Sequence, residues 1–234
     1  MHRQAFRLTG LEGEYRVIRT GLADLAGVVD ELMAGEMEGL NVTMPLKEAA
    51  GRLAERLTPE ATTAGAVNSL RVRDGALEAH STDVTAFQAI FRRHPQVDRL
   101  LVLGGGGAAR SALAAWTGPP AWISLRSPSM AERLIDQWAD LRVVEWGKSL
   151  DEAIVINATP LGMAGESLPE GIVQAALVLI DLPYGRQPTP ATATATCTVV
   201  DGIDFLALQA AACFEWFTGA PVDSAALAMA ARNV

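Results

Sequence analysis

The sequence contains few cysteines and no long apolar run. Cys197 and Cys213 are the only cysteines among 234 residues, and their spacing fits neither a disulfide framework nor a CxxC ligand pair. We therefore expect a reducing, cytoplasmic environment and buried, unreactive thiols. The first ten residues lack the apolar core of a signal peptide, and no uninterrupted apolar run is long enough to span a membrane. The sequence accordingly predicts no membrane association.

The sequence also has no excess of positive charge. The net charge of −8 argues against binding of nucleic acid through its phosphates. A small anionic ligand is still compatible with this charge, because a few backbone N–H groups and one or two cations can hold it. The three histidines are not spaced as metal ligands, so we expect no metal site. With 50% hydrophobic residues, the composition suits one large or two modest globular domains.

The most informative segment is LVLGGGGAARS, residues 101–111. Gly104 and Gly106 occupy the first two glycine positions of a dinucleotide-binding fingerprint, and Ala109 occupies the third. Glycine is needed there because the turn is tight and the backbone must approach a pyrophosphate, which then faces the N-terminus of the next helix. The turn therefore predicts a set of nucleotide-binding residues: Gly104, Gly105, Gly106, Gly107 and Ala108.

The order of local patterns predicts an α/β fold. A strand (YRVIR), a helix and a second strand (LNVT) are predicted between Tyr15 and Thr43, and Asp74-Gly75 predicts a hairpin turn. After residue 99, short apolar runs alternate with helical patterns and are typical of buried parallel strands: LLVLG, AWISL, LRVVEW, EAIVINA and ALVLIDL. We also predict helices at about 46–57, 83–93 and 205–217 and from Pro221, and a loop or frayed helix at 189–198.

Seven separated sequence words resemble the shikimate dehydrogenase family, in the family's order: NVTMPLK (41–47), AGAVNSL (64–70), STD (81–83), GGGGAAR (104–110), NATPLGM (157–163), DLPYGRQPTP (181–190) and GxxxLxxQxxxxFEWFTG (202–219). The resemblance implies a two-domain α/β enzyme. Residues 87–205 would form a doubly wound, parallel-sheet NADP-binding domain, and residues 1–86, completed by 206–234, a smaller α/β substrate domain. It also implies reversible NADP-dependent reduction of 3-dehydroshikimate to shikimate, in chorismate and aromatic amino-acid biosynthesis, by a monomer or homodimer.

Two charged residues have positions that suit proton transfer to a ketone. Lys47 lies at the start of a predicted helix just after a strand, and Asp83 begins the helix that joins the two halves of the chain. By themselves they would be interpreted as a solvated lysine and a helix N-cap. The resemblance implies that they form the catalytic pair. It also implies four substrate-binding residues: Thr43, Asn68, Gln209 and Tyr184.

The segment SLRSPS (124–129) bears on the choice of cofactor. NAD-binding domains usually have an acidic residue at this position, whereas this sequence has Arg126 and Ser127. These two residues match the last two positions of the family's Asn-Arg-Thr phosphate clamp, and Leu125 replaces its asparagine. NADP is therefore the predicted cofactor. The family words add three further cofactor-binding candidates: Asn157, Thr159 and Gly202.

The sequence departs from the family pattern at its beginning. The family's Ser-x-Ser-Pro word, whose serines hold the substrate carboxylate, is missing, and MHRQAF matches the stretch that follows that word. We expect shikimate binding to be weakened without those serines. Two alternatives therefore stay open. One is a non-catalytic relative that binds nucleotide or shikimate, and the other is an NAD-dependent quinate/shikimate dehydrogenase.

Overall fold

The structure is a computed structural model that describes residues 1–233. Its helices are α1 His2–Thr9, α2 Leu25–Met33, α3 Lys47–Leu53, α4 Pro59–Ala64, α5 Thr82–Phe91, α6 Gly107–Ala115, α7 Pro128–Gln137, α8 Ile172–Ala175, α9 Pro190–Thr194, α10 Gly202–Thr218 and α11 Ser224–Arg232. Its strands are β1 Leu40–Asn41, β2 Arg56–Leu57, β3 Ser69–Arg73, β4 Ala76–His80, β5 Leu100–Leu103, β6 Trp122–Ser124, β7 Arg142–Val144, β8 Ala153–Asn157, β9 Ala176–Asp181 and β10 Thr198–Asp201.

The chain forms two compact units. Unit 1 consists of Met1–Gln88 and Leu206–Val234, and unit 2 of Ala89–Phe205. Helices α5 and α10 each contribute residues to both units. None of the helices within residues 1–233 has the length and apolarity needed to span a membrane.

Unit 2 is built on a parallel sheet of six strands in the order β10-β9-β8-β5-β6-β7. All residues of β5 and β8 are buried, as expected for strands covered on both faces. The five predicted parallel strands and the α/β fold class are thus confirmed, but the expected burial is wrong for β7, which lies at the edge of the sheet and is mostly exposed. The order reverses at β5, between β6 and β8, and ligands of such sheets bind beyond the carboxyl ends of the strands at this point.

The edge strand β10 was not predicted from the sequence. It pairs in parallel with β9, and its residues are half-buried or exposed. The Ala- and Thr-rich segment before it contains the short helix α9, capped by the Thr189 hydroxyl, which accepts from the Thr192 N–H at 3.1 Å. The Ala- and Thr-rich residues before β10 show no hydrophobic periodicity from which a strand could be predicted. Pairing with β9, rather than a local sequence pattern, therefore determines this part of the structure.

Unit 1 contains a mixed sheet of four strands in the order β1-β3-β4-β2. The predicted hairpin is confirmed: Asp74 and Gly75 have φ angles of 51° and 73°, as a two-residue turn between β3 and β4 requires. The apolar face of α2 packs on this sheet and buries Leu25, Val29 and Leu32 against Leu70 and Leu77.

The predicted strand at residues 15–19 is wrong. This segment has no regular structure, and the side chain of Val17 is 79% exposed. Instead of pairing with the sheet, Tyr15 contacts α1: its ring stacks on His2 at 4.6 Å, and its carbonyl accepts from Arg3 Nε at 2.9 Å. An apolar pattern predicts a strand only where a neighbouring strand is available.

Two predicted helices have different bounds. The segment predicted as one helix to residue 57 ends at Leu53, because the Glu55 backbone N–H donates to the Leu77 carbonyl at 3.0 Å and draws the chain into β2. The last helix begins at Ser224 rather than Pro221. Asp223 caps it by accepting from the Ala225 N–H at 2.9 Å.

Candidate active site

A lysine and an aspartate form an ion pair in unit 1. Lys47 Nζ contacts Asp83 Oδ2, and the two side chains are 20% and 6% exposed. Lys47 is the first residue of α3, just after the turn closed by the Leu46 N–H donating to the Thr43 carbonyl at 2.9 Å. Asp83 lies in the first turn of α5, where the helix dipole favours negative charge. A pair this buried loses much hydration, so removing one partner would leave the other charge uncompensated.

Asn68 links the aspartate to the rest of the site. Its side chain is buried, and its Oδ1 accepts from the Thr82 backbone N–H at 2.8 Å. Because that N–H can only donate, the amide oxygen must face it, and the orientation of the amide is settled. The amide nitrogen therefore points toward Asp83 Oδ1 at 3.0 Å and Gln209 Oε1 at 3.1 Å.

Gln209 reaches this network from α10. Its Oε1 also accepts from the Thr82 hydroxyl at 3.3 Å, and its Nε2 donates to the Leu206 carbonyl at 3.3 Å. Four predicted site residues, Lys47, Asp83, Asn68 and Gln209, are thus joined by side-chain contacts. The side chains come from three helices and the approach to one strand, which fixes their relative positions.

Two other predicted substrate residues lie outside this network. Thr43 is exposed in the turn before α3. Tyr184 belongs to unit 2 and is 51% exposed. Both have room to contact a ligand. The network above supplies no contact that fixes either side chain.

Sequence reasoning did not single out Thr82, which is fully buried and holds the Asn68 amide in place. The signal was present, because Thr82 is the middle residue of the STD word that led to Asp83. Its backbone N–H donates to Asn68 Oδ1, and its hydroxyl oxygen accepts from Asn68 Nδ2 at 2.9 Å. Thr82 therefore orients the site without facing solvent.

The cysteines have different environments. Cys213 is fully buried on α10, where its sulfur lies 2.9 Å from Asn41 Nδ2 and 3.2 Å from Ser69 Oγ. Burial raises the pKa of this thiol to about 11, so it stays neutral at ordinary pH. Cys197 is only half-buried, which corrects the expectation that both thiols are buried. Within residues 1–233, no cluster of three or more His, Cys, Asp or Glu side chains could hold a metal ion.

The glycine turn of unit 2 joins the end of β5 to the start of α6, at the switch point of the sheet. Gly104 has a φ of 101°, and a Cβ there would lie 2.8 Å from the Ala158 carbonyl oxygen. A Cβ on Gly105 would meet Met130 Cγ at 2.6 Å. A Cβ on Gly106, by contrast, would meet nothing within 4 Å. Gly104 is thus required by its backbone conformation and by the neighbouring carbonyl, and Gly105 is packed against side chains. Gly106 instead leaves open space before the helix N-terminus, as binding of a pyrophosphate requires.

Asn157 and Thr159 shape the loop after β8. Asn157 is buried, donates to Asp181 Oδ1 at 2.7 Å and to the Leu161 carbonyl at 3.0 Å, and accepts from the Thr159 hydroxyl at 2.6 Å. These bonds occupy both ends of the amide, so Asn157 acts on a ligand only through the loop that it holds. Gly202 is also constrained by packing, because a Cβ there would lie 2.3 Å from the Leu182 carbonyl oxygen.

Arg126 and Ser127 follow β6 and are exposed. The Arg126 guanidinium carbon lies 5.5 Å from the ring centroid of Trp146, and Ser127 Oγ lies 3.1 Å from Ser129 Oγ. The loop after the second strand is where such domains distinguish a ribose hydroxyl from a phosphate. An exposed cation and a hydroxyl at this place suit a 2′-phosphate.

Comparison with known proteins connects this geometry to one family. A family model described as the shikimate dehydrogenase substrate binding domain matches residues 1–70. The shikimate dehydrogenase (NADP(+)) of Alkalilimnicola ehrlichii is 35% identical over 250 residues, which cover 99% of this chain and 92% of that protein. The corresponding protein of Aeropyrum pernix is 37% identical over 220 residues, covering 86% and 80%.

A solved structure shares the fold over nearly the whole chain. It is the shikimate 5-dehydrogenase from Thermus thermophilus in complex with NADP(H) and shikimate. The two match with a TM-score of 0.87 and 30% sequence identity, over 99% of this chain and 92% of that one.

Proposed function

This chain belongs to the shikimate dehydrogenase family, and we propose that it catalyses the reversible NADP-dependent reduction of 3-dehydroshikimate to shikimate. The observation that carries the proposal is the contact of Lys47 with Asp83, held by Asn68 and Gln209. A protein that only bound a ligand would not need a nearly buried acid–base pair. We assign substrate binding to residues 1–86 and 206–234, and dinucleotide binding to residues 87–205.

Lys47 moves the proton in this proposal. When the ketone carbon accepts a hydride, the developing negative charge on its oxygen needs a proton, and the Lys47 ammonium donates it. The neutral amine then takes a proton from solvent, which its 20% exposed side chain can reach. In the oxidation direction, the neutral amine accepts the hydroxyl proton as the hydride leaves the carbon.

Asp83 positions the lysine and balances its charge. Both carboxylate oxygens are occupied, Oδ2 by Lys47 and Oδ1 by Asn68, so the carboxylate cannot rotate freely. We assign Asn68, Gln209 and Thr43 to the hydroxyl groups of the substrate, because their amide and hydroxyl groups can donate and accept. Thr43 is exposed, whereas the Asn68 and Gln209 amides would exchange part of the network described above for substrate hydroxyls. Tyr184, whose hydroxyl can do the same, is a fourth candidate for substrate binding.

Unit 2 fits NADP on three grounds. Gly106 leaves space for a phosphate group at the N-terminus of α6, the turn lies at the switch point of the sheet, and Arg126 is exposed after the second strand. The bound dinucleotide supplies the hydride. We assign phosphate contacts to residues 104–108, the 2′-phosphate to Arg126 and Ser127, and further cofactor contacts to Thr159 and Gly202. We assign Asn157 an indirect part in cofactor binding, because it holds the loop after β8.

We place this activity in the cytoplasm. The two cysteines are free rather than joined in a disulfide, which suits a reducing compartment. The proposed substrate and cofactor are small molecules, and we infer neither a nucleic-acid nor a membrane partner. We propose a monomer or homodimer as the active form.

The direct test is reduction of NADP⁺ by the purified protein with shikimate as the substrate. Parallel reactions replace shikimate by quinate, or NADP⁺ by NAD⁺, and Lys47→Ala is the inactive control. Turnover that depends on shikimate and NADP⁺ supports the proposal. Binding of NADPH and shikimate without turnover would instead identify a non-catalytic relative. Equal turnover with NAD⁺ or quinate would identify a quinate/shikimate dehydrogenase of broader specificity.

A further inference from the structure

Two arginine–tryptophan pairs lie on neighbouring strands of unit 2. Trp122 of β6 and Arg142 of β7 are direct partners in the parallel ladder, and the Arg142 guanidinium carbon lies 4.9 Å from the Trp122 ring centroid. The second pair lies four positions later in the sequence: Arg126 follows β6, Trp146 follows β7, and the Arg126 guanidinium carbon is 5.5 Å from the Trp146 ring centroid. In the first pair the tryptophan belongs to β6 and the arginine to β7, and in the second pair this arrangement is reversed. Both indoles pack against the same apolar cluster, the one that contains Leu103.

The indole of Trp146 is held by both its backbone and its packing. The buried Ser124 hydroxyl donates to the Glu145 carbonyl at 3.0 Å and accepts from the Gly147 N–H at 3.1 Å, so the residues on both sides of Trp146 are tied to β6. The half-buried indole also packs against the apolar cluster that contains Leu103. Arg126, in contrast, is exposed on its loop.

Resting on the NADP binding proposed above, we propose that Trp146 is a positioning residue that sets the preference for NADPH over NADH by holding Arg126. A guanidinium within 6 Å of an indole face is attracted by the ring, and this restricts the many rotamers of an exposed arginine. The contact is made to the indole ring and does not itself require a guanidinium N–H group as a hydrogen-bond donor. The N–H groups along its edge therefore stay available for bidentate bonds to phosphate oxygens.

The test measures binding of NADPH, NADH, adenosine 2′,5′-bisphosphate and adenosine 5′-monophosphate by calorimetry. Trp146→Leu should weaken NADPH and the bisphosphate by about two- to fivefold, and NADH and the monophosphate by less. Trp146→Phe keeps an aromatic face and should retain most of the affinity. Trp122→Leu is the matched control, because Trp122 packs against the same cluster and holds the other arginine. It should leave the NADPH preference unchanged.

A double-mutant cycle separates positioning from general packing. In an Arg126→Gln background, Trp146→Leu should change NADPH affinity no further, because the indole acts only through the guanidinium. If Trp146→Leu does not fold, Ser124→Ala is the alternative variant. It removes the hydroxyl that holds residues 145 and 147 but keeps the indole, and it should likewise reduce the preference for NADPH over NADH.

Any one of the following outcomes would overturn the inference. Equal weakening of NADPH and NADH by Trp146→Leu, or an equal effect of Trp122→Leu, would show that the indole serves packing alone. A further loss in the Arg126→Gln background would show that Trp146 acts without Arg126. A wild-type protein without any NADPH preference would overturn the proposed cofactor as well. A wild-type preference that survives Trp146→Leu would overturn only this inference.

Discussion

Asn68 Nδ2 lies 3.0 Å from Asp83 Oδ1, while the other oxygen of the same carboxylate contacts Lys47. The aspartate is thus held on both sides, by a neutral donor and by a cation. A carboxylate fixed in this way is suited to positioning and charge balance rather than to proton transfer. We therefore assign the proton-transfer step to Lys47, whose side chain is the more exposed of the pair.

Replacement of Lys47 tests that assignment. The sequence has only two lysines, and Lys148 is exposed and lies in unit 2, so Lys148→Ala is a natural control. Lys47→Ala should lower kcat for shikimate oxidation by roughly 10²–10⁴, the usual contribution of a general acid–base group. KM should change less, because the lysine acts chiefly in the transition state. Steady-state kinetics at saturating NADP⁺ measures both constants. A Lys47→Ala enzyme as fast as Lys148→Ala would refute the role.

Thr82 is predicted to act through Asn68. Thr82→Val keeps the backbone N–H and the side-chain shape but removes the hydroxyl that contacts Asn68 Oδ1 and Gln209 Oε1. We expect a loss of about 1–3 kcal/mol in the free energy of unfolding, since buried polar groups lose a partner, and a higher KM for shikimate. Thr82→Ser restores the hydroxyl and should recover both values. Urea unfolding and steady-state kinetics provide the readouts. If the serine variant behaves like the valine variant, the methyl group matters instead of the hydroxyl.

The sequence predicted the parts of the fold that depend on local pattern. The five strands of unit 2 that were predicted come from short apolar runs, and all but the edge strand β7 are largely buried. Asp74-Gly75 has a backbone requirement that few other pairs meet. The wrong predictions fall where contacts with residues distant in the sequence determine the secondary structure. Residues 15–19 have a strand-like composition but contact α1, and residues 56–57 leave a helical pattern because β4 offers them a partner.

The candidate site shows the same division. The family's sequence words identified Lys47, Asp83, Asn68 and Gln209 one by one. No local pattern predicts that these four side chains, up to 162 positions apart, form one network. Thr82 was missed because, in the sequence, it cannot be distinguished from an ordinary threonine at the start of a helix. Its burial and its contact with Asn68 are visible only in the structure. The contact of Trp146 with Arg126 was missed because it depends on the register of two strands.

His2 should make the stability of the chain depend on pH. Burial, followed by the nearby N-terminal charge, lowers the pKa of His2 from 6.5 to about 4. Below pH 6.5 the unfolded chain therefore binds a proton that the folded chain does not, so stability falls as pH decreases toward 4 and levels off below it. The shift corresponds to at most about 3 kcal/mol.

His2→Phe provides the comparison, because it removes the titration while keeping a ring to stack on Tyr15. Carboxylates that titrate in the same range are common to both proteins and cancel in the difference. Urea unfolding at several pH values should show that the wild type loses more stability than His2→Phe between the two pKa values. Parallel curves for the two proteins would show that His2 is not buried as described.

The glycine turn allows folding and cofactor binding to be tested separately. Gly104→Ala should destabilise the protein by about 1–3 kcal/mol, because its φ is 101° and the new methyl group would lie 2.8 Å from the Ala158 carbonyl oxygen. Gly106→Ala has an ordinary φ of −77° and open space around the methyl group, so its stability should change by less than about 1 kcal/mol. The same methyl group would occupy the approach of a phosphate to the start of α6, and we expect NADPH binding to weaken roughly tenfold or more.

Thermal unfolding without ligand and calorimetric titration with NADPH measure the two effects on each variant. Because Gly106→Ala should remain folded, unchanged NADPH affinity in that variant would mean that the dinucleotide phosphates do not approach the backbone at Gly106.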